Sequence, residues 1–126
     1  MLTALMMMAA AASGAGARFD LVCAGNQQHG PNGPIAPWQG RIKVDLVAKT
    51  FCGGDETCAG PAPIASVGPS AIVLRQYSGP QVQQTAYVSR IDGTFKFSTV
   101  FGDGSFDEIT GTCVRAPFSG MPRTKF

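Results

Sequence analysis

The stretch Arg41-Ile42-Lys43-Val44-Asp45-Leu46 alternates charged and aliphatic side chains one for one. Successive side chains of a β-strand point to opposite faces, so this pattern gives a strand with one apolar and one charged face, half buried in a sheet. The same period of two recurs on either side of it. Phe19, Leu21 and Cys23 alternate with Arg18, Asp20 and Val22, and weaker runs follow at residues 63–67, 71–76, 85–91, 94–101 and 108–115. No window of a dozen residues carries apolar positions at i, i+3, i+4 and i+7, so a helix has no support. The pattern predicts an all-β domain of about seven or eight short strands, arranged as a small antiparallel β-barrel or, alternatively, a sandwich.

Turn chemistry separates these runs. The chain of 126 residues holds 16 glycines and 9 prolines, and Asp92-Gly93 lies between two β-rich segments as a hairpin turn should. Two registers compete there. A two-residue loop pairs Val88 with Phe97 and Arg90 with Phe95; a three-residue loop pairs Tyr87 with Phe97 and Ser89 with Phe95. The second brings aromatic rings together and is preferred. Asp103-Gly104 marks another turn before the last strand. From Gly25 to Gly40 the sequence is polar and broken by three prolines, which reads as an ordered loop and not as a strand.

Residues 1–17 contain no charged side chain and hold four of the five methionines. Their apolar run covers about 12 residues, short of the ~20 that cross a bilayer as a helix. Ala15-Gly16-Ala17 then places small residues before Arg18, as at the end of a secretory signal peptide, although the usual Lys/Arg start is missing. A cleavable signal peptide over 1–17 and a single disulfide-stabilised β domain over 18–126 are expected. The destination is periplasmic or secreted.

Export makes the four cysteines readable as two disulfides. Cys52 and Cys58 are separated by Gly53-Gly54-Asp55-Glu56-Thr57, a segment able to reverse the chain, which leaves Cys23 to pair with Cys113. Loop closure gives roughly 2.4 kcal/mol for the short ring and roughly 4.6 kcal/mol for the long one. Ile109, Gly111 and Cys113 share a face of the last strand as Phe19, Leu21 and Cys23 do in the first. Bridging those faces makes first and last strands neighbours and would close the sheet on itself.

The formal net charge of +2 comes from 10 basic and 8 acidic residues dispersed along the chain, which gives no phosphate-binding block and no case for nucleic acid. Catalytic signatures are equally sparse. His29 is the sole histidine, and the G-x-S-x-G elbow, H-E-x-x-H and the phosphate-binding loop are absent. Zinc lacks a C-x2-C pair. The carboxylates Asp55/Glu56 and Asp103/Asp107/Glu108 lie in or beside turns, where acidic residues serve turn formation, and the second group lacks the EF-hand spacing for calcium. No cofactor is expected. In the 25–40 segment Trp38 either caps one end of the domain or anchors a partner, and His29 is the other possible partner contact. The terminal stretch from Phe118 reads as a tail laid over the sheet.

A short exported chain with one cysteine in its first strand, Phe19-Asp20-Leu21-Val22-Cys23, and one in its last, Gly111-Thr112-Cys113, resembles in layout the periplasmic inhibitors of C-type lysozyme. The resemblance implies a periplasmic inhibitory protein but ends at layout. That family's Ser-Gly motif followed by Tyr is not present, Tyr77-Ser78-Gly79 having a different order, and Cys52/Cys58 stand outside the pattern, so no inhibitory residue carries over. The residues themselves favour a monomeric, non-catalytic binding module for a protein or small apolar ligand. The rival is a structural or accessory envelope protein whose interior is filled by Phe95, Phe97, Phe101 and Phe106.

Overall fold

A computed structural model describes residues 16–53, 58 and 60–121. The leader expected over 1–17 falls almost wholly outside them, as do Asp55 and Glu56. The strands are β1 (Arg18–His29), β2 (Ile35–Asp45), β3 (Thr50–Gly53), β4 (Ala62–Pro63), β5 (Ser66–Val67), β6 (Ala71–Ser78), β7 (Val82–Ser89), β8 (Thr94–Phe101) and β9 (Phe106–Ala116). They form one antiparallel sheet in the order β4-β3-β2-β1-β9-β8-β7-β6-β5, curled into a half-barrel. A sandwich needs two sheets, so that alternative falls. The described residues contain no helix, hence none long and apolar enough to cross a membrane.

First and last long strands do pair, from Asp20↔Ala116 to His29↔Asp107. That pairing sits in the middle of the sheet and leaves its two edges in place. The edge strands β4 and β5 are consecutive in the chain and are joined through Ile64-Ala65. Ile64 N donates to Lys49 O at 2.9 Å on the β3 side, and Ala65 N donates to Leu74 O at 3.3 Å on the β6 side.

Alternation decides the core. Ile42 and Val44 are 3% and 0% exposed and stand opposite Leu21 and Phe19, so the apolar faces read from β1 and β2 meet on the concave side. Ile72, Leu74, Ala86, Val88 and Phe95 complete the packed cluster from the other half of the sheet. The convex face carries the charged partners. Asp20 is nevertheless fully buried there, because the C-terminal stretch lies over it: Ser119 donates to it from Oγ at 2.6 Å and from N at 3.2 Å, and Arg41 Nε stands 2.7 Å away.

Three expectations need correction. The segment from Gly25 to Gly40 is not a loop; β1 runs on to His29 and β2 starts at Ile35, making one long hairpin. Of its three prolines only Pro37 falls inside a strand, and it is tolerated because β3 reaches only as far as Ile42↔Gly53, which leaves Pro37 on an open edge where no neighbour needs a donor. Next, the Asp92-Gly93 turn follows neither register considered. Val88 pairs with Phe95 and Ala86 with Phe97, leaving a four-residue loop, Arg90 to Gly93. Gly93 adopts φ 76° and donates to Ser89 O at 3.1 Å, while Asp92 accepts from Thr94 N at 3.0 Å and Oγ1 at 2.8 Å. This register puts Ala86, Val88 and Phe95 in the core and Tyr87 outside, opposite Lys96.

Finally, the strand Thr50–Gly53 was not anticipated, and residues 63–67 split into two. β3 is brought back against β2 by a turn that Asp45 organises, accepting from Val47 N and Ala48 N at 3.0 Å each. The Ala48 amide, helped by the Arg18 guanidinium 3.1 Å away, holds the Asp45 carboxyl below its ordinary range despite partial desolvation.

Both expected disulfides form, Cys23–Cys113 inside the curl and Cys52–Cys58 on the convex side beside Lys43. They are compatible with an oxidising extracellular compartment.

Candidate functional site

At the end of the curl marked by Trp38, the concave face stops filling itself. Glycines take inward positions on four strands, Gly25, Gly40, Gly53 and Gly111 in β1, β2, β3 and β9, and Gly53 lines the space itself. Two of them let strands approach. A Cβ on Gly25 or Gly111 would strike the opposing backbone carbonyl, of Thr110 or Ala24 respectively. Gly40 instead makes room for a ring, since a Cβ there would meet the Trp38 indole at 2.5 Å. Trp38 therefore folds over β2 and stacks on Phe95, with centroids 5.7 Å apart and planes inclined by 11°.

Beneath these rings lies a cavity of about 290 Å³ whose walls are chiefly Trp38, Ile42, Leu74, Phe95, Phe97 and Ile109, with Phe51 and Gly53 on the β3 side. Arg75 is the only ionisable residue among those lining it. Strict alternation would have sent Arg75 outward. A β-bulge prevents that: β6 pairs Val73 with Tyr87 and then Arg75 with Ala86, which leaves Leu74 without a partner. Tyr87 faces out and Ala86 faces in, so Leu74 and Arg75 both turn to the concave side. Arg75 donates from its guanidinium to Gln84 Oε1 at 3.2 Å.

Of the two candidate contact residues, only Trp38 lines the cavity. Trp38 is half buried in the cavity wall. His29 stands at the C-terminal end of β1, four residues beyond Gly25, the partner of Trp38; its side chain is 63% exposed, its Nδ1 is paired with Asp107 of β9, and it is not among the residues lining the cavity. Glu108 faces Lys96 at 3.9 Å. Asp103 accepts from Ser105 Oγ at 2.6 Å and N at 2.9 Å, bonds that hold its carboxyl below the ordinary range. Among the described residues no three His, Cys, Asp or Glu side chains gather around a point that could hold a metal ion.

Of the aromatics offered as plugs, Phe95 is buried and Phe97 half buried, both at the cavity, whereas Phe101, on the same face at the end of β8, is 40% exposed and not among the lining residues. Arg75 escaped the sequence reading because Leu74-Arg75 looks like ordinary alternation. A usable signal existed in the strand glycines, which mark places where backbone or ring comes close.

Comparison with known protein families, curated proteins and solved structures finds no match.

Proposed function

We propose that this chain is an exported, monomeric, non-catalytic binding module, a curled sheet brought to barrel closure through Ile64-Ala65, which takes up one small apolar ligand beneath Trp38. The cavity of about 290 Å³ carries the reading. Its walls are aromatic and aliphatic with one polar handle, the usual make-up of a small-molecule site. Its size is near twice that of a 150 Å³ apolar cavity that takes up benzene. The rival, an accessory protein with a filled interior, is less well supported, because Phe101 is 40% exposed and Trp38, Phe95 and Phe97 frame space instead of occupying it.

The test is a titration with N-phenyl-1-naphthylamine, a neutral apolar fluorophore, followed through its own emission and through energy transfer from Trp38, the one tryptophan of the chain. Saturable one-to-one binding that Ala86→Leu weakens by filling the cavity, in a variant still folded by thermal unfolding, is the expected result. A folded wild-type protein that takes up no probe overturns the reading.

A further inference from the structure

We propose that the ligand is an anionic amphiphile, its tail in the cavity and a carboxylate or phosphate head on Arg75; this rests on the cavity reading above and names the class of molecule that fills it. Three observations converge. The β-bulge at Leu74 turns a guanidinium onto an otherwise uncharged wall, and bulges commonly re-aim a side chain in this way. Among the described residues Arg75 has no carboxylate partner; its recorded bond is to the neutral Gln84. That single bond orients the guanidinium and leaves further N–H donors, whose planar fork matches two oxygens of one anion.

The position of Arg75 fits a head group. Besides the cavity it lines a shallow recess with Tyr77, Val82 and Gln84, so the charge stands where the apolar interior opens to water. A head bound there keeps part of its hydration while the tail is dry, which avoids the cost of burying an anion outright. Judged against the benzene-sized cavity, the space accepts a tail on the order of ten carbon atoms.

The test is displacement of N-phenyl-1-naphthylamine at neutral pH by decanoate, decyl phosphate, decan-1-ol and decyltrimethylammonium, each below its micelle concentration. Decanoate or decyl phosphate is expected to displace the probe at about tenfold lower concentration than decanol, with the cation weakest. The stronger of the two anions identifies the head group. Arg75→Gln is expected to reduce the anion-to-alcohol ratio to about one, and Arg75→Lys to keep part of it as a point charge without the fork. Equal potency of anion and alcohol on the wild type overturns the inference, as does an anion preference that survives in Arg75→Gln. Either result leaves the cavity reading intact, whereas failure of the neutral probe to bind strikes that reading first.

Discussion

Cys23 and Cys113 stand directly opposite each other on β1 and β9, with Cα atoms 4.0 Å apart. The N–H of Cys113 is given to Gly93 O at 2.8 Å, on the side away from β1. The cysteines therefore occupy a pair of positions that exchange no backbone hydrogen bonds, where side chains of antiparallel neighbours come closest. The bridge spans 90 residues of sequence and constrains the unfolded chain far more than the Cys52–Cys58 ring, with its separation of 6. Replacing both Cys23 and Cys113 by Ala is expected to cost about 2–5 kcal/mol in urea unfolding, more than the same change at Cys52 and Cys58. Equal losses for the two pairs would show that loop length does not set their contributions.

The buried carboxylate of Asp20 ties the chain end to the first strand. Removing Arg41 leaves that carboxylate without its cation, so Arg41→Ala is expected to destabilise by about 3 kcal/mol. Ser119→Ala removes one of the hydrogen bonds and is expected to cost about 1–2 kcal/mol. Denaturant unfolding of the single and double variants checks this, and additive losses would mean that Arg41 and Ser119 do not act through the same carboxylate.

Acid sensitivity follows from Asp45. Its carboxyl is held below the ordinary range in the folded protein by the Ala48 amide and Arg18, so the unfolded chain binds the proton more readily. The stabilisation is present above the unfolded-state value near 3.9 and is lost as the pH falls through the lower folded value. Asp45→Asn is expected to lower thermal stability at pH 7 and to flatten its decline between about pH 5 and pH 2. A wild-type and a variant curve that run parallel through that window would remove Asp45 from the account.

Gly25 and Gly111 face each other across β1 and β9, with no room for a side chain on either. Gly111→Ala is expected to lose about 3 kcal/mol or more, or to fail to fold. Gly60→Ala is the control, since a Cβ there meets nothing within 4 Å, and is expected to stay within about 0.5 kcal/mol of wild type. Circular dichroism melting curves of the two variants separate the cases.

The polar alternation of Arg41 to Asp45 and of Arg18 to Cys23 determined the strand type and the buried face, and the turn-forming segment between Cys52 and Cys58 pointed to the pairing of the four cysteines. Those are properties of the sequence alone: a period of two, a side chain's hydrophobicity and the spacing of the cysteines are read without knowing which strands are neighbours. What the residues could not reveal is which backbone lies beside which. The 25–40 segment looks like a loop in isolation, and becomes two strands because each half supplies the other's hydrogen bonds.

The register at Asp92-Gly93 was settled by core partners on other strands together with the Asx turn of Asp92, neither of which a preference for aromatic pairing captures. Arg75 depended on tertiary structure in the same way. Its direction is fixed by one extra residue in β6 opposite β7, a mismatch between two strands that neither strand's sequence contains. The cavity, too, is lined by residues of six strands, β2, β3, β6, β7, β8 and β9. The sequence by itself therefore determined a disulfide-linked β domain, while only the tertiary structure decided that it holds an apolar space with one guanidinium at its mouth, because empty volume is created by neighbours and not by any residue alone.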